Sequence, residues 1–196
     1  MDDFITPAIW RKGKKTILRP ICEANLPLLQ TWINDPANNK YLFVTWPMTM
    51  ANERAWFEKS NQDPMNHLSL CIYTHDDKPI GNISLHINLH RQSAVTGTLI
   101  GESDYQNKGY GTDAKMLLLE YAFMWRGLRK VTSSILAGNG PSRSYAKKCG
   151  YRHTATIPQE HFVNGEWQDE VQYTVFRDEW LKRWKKYKKG WKPSWL

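Results

Sequence analysis

Cysteine is scarce in this chain. Cys22, Cys71 and Cys149 are the three in 196 residues, widely spaced and with no Cys-x-x-Cys pair. An odd, dispersed set argues against a disulfide framework and against a zinc site, so no metal is expected. Long apolar runs are also missing. The longest is broken by Glu120, far short of the ~20 residues that span a bilayer. Met1-Asp2-Asp3 lacks the basic-then-apolar layout of a signal peptide, which makes a reducing cytoplasm the expected location. There is no internal repeat and no Pro/Ser-rich linker.

Acid is absent from one place. The last fifteen residues hold Lys182, Arg183, Lys185, Lys186, Lys188, Lys189 and Lys192 and no Asp or Glu. The net charge is +8, but the other 181 residues carry only +1, so the basic character belongs to one tail. Trp180, Trp184, Tyr187 and Trp191 recur there at helical spacing, with lysines on the other faces. Two readings stand. One is a terminal helix docking its aromatics on the body with solvated lysines. The other is a surface for RNA, a ribosome, anionic lipid or an acidic partner.

What is present is ordinary globular material, 41% apolar and 23% charged. That length and composition predict one domain burying roughly 70% of its unfolded surface. The pattern predicts strands at Thr16–Ile21, Leu68–Tyr73, Ile80–Leu89, Gly97–Gly101, Lys130–Leu136, Tyr151–Thr156 and Glu170–Phe176. Helices are predicted at Leu26–Ile33, after a cap at Thr49 or Asn52, at Gly109–Trp125 and at Ser142–Lys148. The inner face of the helix from Gly109 is expected to be Ala114, Leu117, Leu118, Tyr121 and Trp125. Asn164-Gly165 reads as the turn between the last two strands. This is an α/β order with a mixed sheet.

One segment carries chemistry. Gln106-Asn107-Lys108-Gly109-Tyr110-Gly111-Thr112 joins a strand to the strongest helix. Glycines let a backbone approach a ligand closely, and a helix N-terminus favours negative charge, so a pyrophosphate is the natural guest. A bare strand-to-helix turn would use the same glycines. The segment is neither a Walker loop nor the three-glycine dinucleotide fingerprint.

Gln-x-x-Gly-x-Gly before a long helix resembles the acetyl-CoA loop of GNAT N-acetyltransferases. Leu18-Arg19-Pro20, Trp32-Ile33-Asn34-Asp35, Ile100-Gly101-Glu102 and Asp104-Tyr105 look like the RimJ/RimL-type branch of that family. So do Asn139-Gly140-Pro141-Ser142, Lys148-Cys149-Gly150-Tyr151, Phe162-Val163-Asn164-Gly165 with Trp167 and Asp169, and Arg177-Asp178-Glu179-Trp180. The resemblance covers roughly residues 15 to 180 and implies a GNAT domain over 1–180 and a basic, Trp-rich tail over 181–196. It implies a single α/β domain, of α+β type, with a mostly antiparallel sheet splayed at an acetyl-CoA slot.

The same resemblance implies acetyl-CoA as cosubstrate and direct transfer to an amine. The pyrophosphate would meet Asn107 to Thr112, the pantetheine would lie along Leu99, Ile100 and Gly101, and Asn139 and Ser142 would face it. Many members use a Tyr to protonate the thiolate. That position is Ala146 here, and Tyr145 is about 100° away around a helix. Ser142 takes the acid role in the RimJ/RimL-type branch. For the base, His161 stands before the Phe-x-Asn-Gly turn, with Glu160 beside it and Glu102 as runner-up. An imidazole, ordinarily near pKa 6.5, suits proton abstraction at neutral pH. Cys149 reads as a small buried hydrophobe.

The branch acetylates protein N-termini, small amines and some antibiotics. Asp35, Glu53, Glu58 and Asp63 with Trp32, Trp46, Trp56 and Phe57 would form either a cation-binding acceptor wall or core with solvated charges. The tail and the branch pattern favour a protein N-terminus, with ribosome or RNA contact through the tail. The alternatives are a polyamine, aminoglycoside or amino acid acceptor, or a catalytically silent binding module. Many members dimerise, and no residue here indicates it.

Overall fold

The β-branched and aromatic runs assemble into one sheet in the computed structural model, which describes residues 7–44 and 46–193. Its strands are β1 (Arg11–Lys12), β2 (Ile17–Pro20), β3 (His67–Tyr73), β4 (Pro79–Asn88), β5 (Ser93–Ile100), β6 (Lys130–Leu136), β7 (Arg152–Val163) and β8 (Glu166–Phe176). Their order is β1-β2-β3-β4-β5-β6-β8-β7. Neighbours are antiparallel except β5 and β6, which are parallel and joined only at Ser93–Val95 against Lys130–Thr132. Beyond those residues the two strands part, and a fork opens between their C-terminal ends.

The helices are α1 (Leu26–Asn34), α2 (Pro36–Asn39), α3 (Met50–Gln62), α4 (Tyr110–Glu120), α5 (Gly140–Lys148) and α6 (Arg177–Tyr187). Thr49 caps α3 reciprocally. Its hydroxyl accepts from the Asn52 N–H, and the Asn52 side chain accepts from the Thr49 N–H. Alternation along β3 sends Leu70 and Ile72 into a large cluster with α4 and α6. Cys71 and Tyr73 enter a smaller cluster with α1, so both sheet faces are covered. No helix among the described residues is long and apolar enough to cross a membrane.

Three expectations need correction. The helix from Gly109 does not run to Trp125 as one α-helix: α4 ends at Glu120, and Tyr121–Trp125 form a π turn. Every residue from Asp113 to Glu120 is buried, so the helix has no solvated face there, and Trp125 is 56% exposed rather than inward. Across that turn the fully buried Glu120 carboxylate accepts from Trp125 Nε1 at 3.0 Å. Second, β7 continues to Val163, seven residues past the predicted end. It is the sheet edge, and Pro158 falls in the gap of its pairing with β8 between Ile157 and His161, a bulge in which Gln159 takes φ 50°. Third, Glu53 is neither solvated nor in an acidic wall. It is buried, and burial pushes its carboxyl above the usual range.

The C-terminal helix crosses residue 180. Trp180 and Trp184 are buried in the large cluster and stack at 5.1 Å, and Trp184 stacks on Tyr187 at 5.3 Å. Burying one Trp removes about 150–250 Å² from water, roughly 4–6 kcal/mol before entropy.

Candidate active site

Two helix N-termini meet at the fork. The loop Gln106–Gly109 leaves β5 and enters α4, with Asn107 at φ 57° and Gly109 at φ 89°. Those left-handed residues curl the backbone so that successive N–H groups converge. Gly109 has no side chain to cap α4, and the first helical bond runs from Asp113 N–H to its carbonyl. The N–H groups of Tyr110, Gly111 and Thr112 therefore lack a capping side chain. Lys15 donates to the Lys108 carbonyl at 2.8 Å and lies 5.6 Å over the Tyr110 ring. Gln106 Nε2 donates to the Ile100 carbonyl (2.9 Å) and to Asn38 Oδ1 (3.0 Å), tying the loop to the end of β5. Gly101 lies against Trp32, where a Cβ would come within 2.0 Å of the indole. Leu99 packs toward the smaller cluster and Ile100 toward the larger.

Across the fork, α5 is capped by its own chain: Ser142 N–H donates to Asn139 Oδ1 at 3.0 Å. Tyr145, expected to sit off the acid position, reaches the fork and donates to Thr98 Oγ1 at 3.1 Å. Burial holds its phenol protonated, well above the ordinary value. Burial likewise pushes the Cys149 thiol up to about 12, which makes it inert as a nucleophile. Beneath Tyr145 lies Lys115, 2% exposed, which donates to Thr96 Oγ1 and faces the rings of Tyr145 and Tyr151. Desolvation brings its pKa down to about 7. Thr96 and Ser133 bridge β5 and β6 at 2.8 Å and close the floor of the fork.

Asp113, in the first turns of α4, is a buried anchor. It accepts from the N–H groups of Lys14 (3.1 Å), Lys15 (3.0 Å) and Thr16 (2.9 Å), from Thr16 Oγ1 (2.7 Å) and from the Tyr187 hydroxyl. The cofactor-loop helix is thereby tied to the β1–β2 turn and to the tail.

His161 lies on β7, and β7 meets the fork through β8. Its Nε2 is 3.0 Å from Glu170 Oε2, and its ring stacks on Phe43 at 4.2 Å. Glu170 also accepts from Ser134 Oγ of β6 (2.7 Å) and Gln172 Nε2 (3.0 Å). Burial alone would raise the Glu170 carboxyl. Hydrogen bonds from Ser134, Gln172 and His161 outweigh it and hold the carboxyl below its usual range. Val163, two residues on along the strand and hence on the same face as His161, lines a cavity of ≈ 500 Å³. Asn34, Asn39, Val44, Trp46 and Asn164 also line it. Glu102 belongs to a separate network, accepting from Trp32 Nε1 (2.9 Å) and pairing with Lys78 (3.4 Å).

At the fork Gln106 meets the Ile100 carbonyl, and Gly111 lies against Ile100 and against Tyr145 of α5. Asn139 and Ser142 open that same helix, and His161 and Glu102 belong to different networks. Sequence reasoning missed Glu170, Phe43, Lys115 and Asp113. No spacing links Glu170 to His161, because the pairing depends on β7–β8 register. Asp113 offered a faint signal as an acid in a helix's first turn.

The model of the acetyltransferase (GNAT) domain matches residues 15–152. The chain is 27% identical over 132 residues to the uncharacterized N-acetyltransferase YnaD of Bacillus subtilis, covering 67% of this chain and 76% of that protein. It is 30% identical over 107 residues to the putative ribosomal N-acetyltransferase YdaF of the same organism, covering 54% of this chain and 58% of YdaF. The Vibrio cholerae spermidine N-acetyltransferase, solved in complex with CoA and spermine, superposes with a TM-score of 0.79 at 20% identity, over 85% of this chain and 98% of that one. With the family match spanning most of the chain and the parted parallel strands beneath it, this protein belongs to the GNAT family of acetyltransferases.

Proposed function

We propose that this protein moves an acetyl group from acetyl-CoA directly to a primary amine, and that the acceptor is a protein N-terminus, in the manner of the RimJ/RimL-type branch. The observation that carries the cofactor reading is the uncapped N-terminus of α4 at the mouth of the fork. Its donor set fits a pyrophosphate: N–H groups of Asn107 to Thr112, a helix dipole, and the ammonium groups of Lys15 and Lys108. Leu99 to Gly101 and Asn139 would hold the pantetheine. Acetyl-CoA, when bound, supplies an activated thioester acyl group.

The chain's own residues do the rest. The attacking amine must be neutral, so a base must take its proton. Glu170, kept ionised, favours the His161 tautomer with its proton on Nε2, which leaves the Nδ1 lone pair to accept one. Phe43 fixes the ring plane. Glu102 is the weaker base because both its oxygens are engaged, by Trp32 and Lys78. Ser142, at the N-terminus of α5, is the proton donor for the leaving thiolate.

The cavity beside His161 supports the acceptor reading. Among the described residues that line it there is no carboxylate, and asparagine amides with Trp46 suit a peptide backbone better than a polycation. A small cationic amine is the second reading. Two observations favour it: sequence similarity to spermidine N(1)-acetyltransferases, 24% over 94 residues for the Escherichia coli enzyme and 26% over 105 residues for that of Vibrio cholerae, and the fold shared with the latter.

The first test is thermal unfolding with and without acetyl-CoA. At about 100 times its Kd, the ligand should add roughly 2.7 kcal/mol, a rise of several degrees. No rise in wild type would overturn the cofactor reading. Acetylation of peptides with free N-termini, against spermidine as competitor, then tests the acceptor.

A further inference from the structure

The tail helix turns its aromatics inward and leaves one outward stripe. Lys182, Lys185 and Lys186 follow i, i+3, i+4, opposite Trp180, Trp184 and Tyr187, and all three are exposed. The stripe does not end with the helix. Lys14 donates from Nζ to the Lys189 carbonyl at 3.4 Å and sits 5.1 Å over the Tyr187 ring. Its neighbour Lys15 reaches Lys108. Two exposed basic segments therefore meet at Lys189: the helix stripe of Lys182, Lys185 and Lys186, and, on the Tyr187 side, Lys14 with Lys15, which leads toward the α4 loop. Together they make the track. The nearest acids are Asp178 and Glu179, one turn before the track, with Glu179 paired to Arg152 at 3.4 Å. Asp113, beneath it, is buried and saturated by five donors.

We propose that this track binds nucleic acid through its phosphates, without base readout. A bilayer needs aromatic or aliphatic side chains to insert. Here Trp180 and Trp184 are buried in the core, and Tyr187 and Trp191 are half-buried against it. A protein partner needs an apolar anchor at the centre of its footprint, and the outward stripe is lysine alone. A polyanion with regularly repeated charge fits what is left.

The test is fluorescence anisotropy of a labelled RNA hairpin at several salt concentrations. If about five lysines meet phosphates, the log–log salt slope is roughly −4, and each contact removed lowers its magnitude by ~0.7–0.9. Lys185→Gln/Lys186→Gln/Lys189→Gln should weaken binding at low salt by tenfold or more. Adding Lys14→Gln, at the other end of the track, to that background should weaken it further. Arg54→Gln/Lys59→Gln, with charges removed from α3, should leave it unchanged. Unchanged melting temperatures with and without acetyl-CoA keep the result independent of the acetyltransferase reading. RNA binding absent at low salt, or equal in the track and α3 variants, overturns the proposal. So does binding to phosphatidylserine vesicles without RNA binding, which would assign the tail to membranes.

Discussion

The two sides of the proposed reaction centre are built in opposite ways. The cofactor side is local: one stretch of seven residues, Gln106 to Thr112, carries the turn, the donors and the helix end. The acceptor side is assembled. His161 comes from β7, Glu170 from β8, Ser134 from β6 and Phe43 from the segment between α2 and α3. A local site survives small shifts in the sheet, because its atoms are covalent neighbours. An assembled site depends on strand register, where a slip of one residue turns His161 to the other face.

Variants that damage one side and spare the other sharpen this contrast. The largest effect is expected from His161→Ala. Loss of a general base should lower kcat by about 10²–10⁴-fold, while the thermal shift with acetyl-CoA stays as in wild type. An unchanged pH–rate profile would remove His161 from the mechanism. Gly109→Trp should do the reverse, erasing the stabilisation of roughly 2.7 kcal/mol by acetyl-CoA. The backbone there needs φ 89°, so the apo protein should also melt somewhat lower.

Glu170→Gln tests assembly itself. The variant keeps the shape but releases the tautomer, so kcat should fall about tenfold to a hundredfold with KM little changed. Its pH dependence has a defined sign. The folded-state pKa of Glu170 lies below its ordinary value, so the carboxylate stabilises the fold above the usual carboxylate range and loses that effect as pH falls through the lowered pKa. The melting-temperature gap between wild type and Glu170→Gln should therefore close in acid, and a constant gap would argue against the ion pair. The smallest effect is expected from Asn139→Ala. It removes a helix cap, so the stability of the apo protein should fall by about 1 kcal/mol in urea titration, and by more with acetyl-CoA present, because Asn139 is proposed to hold the pantetheine.

The same contrast explains what was legible. The loop is contiguous, and its glycines must sit where φ is positive, so residue type reports geometry directly. The predicted strand Lys130–Leu136 is found with those bounds, because its buried residues alternate cleanly. The π turn at Tyr121–Trp125 was hidden. It comes with a buried Glu120 that accepts from Trp125, and no local pattern reveals that burial. Lys115 was hidden for the same reason: nothing local marks a helical lysine as buried, and only the helix's enclosure on every side does so. The full length of β7 was hidden too: it runs past Pro158, and only the sheet order shows it to be an edge strand, where proline is tolerated.

By itself, the sequence determined the α/β class, the glycine loop that opens the helix at Tyr110 and the aromatic stripe of the tail. Each rests on residues within a few positions of one another, where backbone preference and hydrophobic period act. The tertiary structure alone decided which carboxylate accompanies His161, where Tyr145 points, and that Lys14 continues the lysine stripe of the tail. Those are meetings between distant segments, set by strand register and by which surfaces must be buried together.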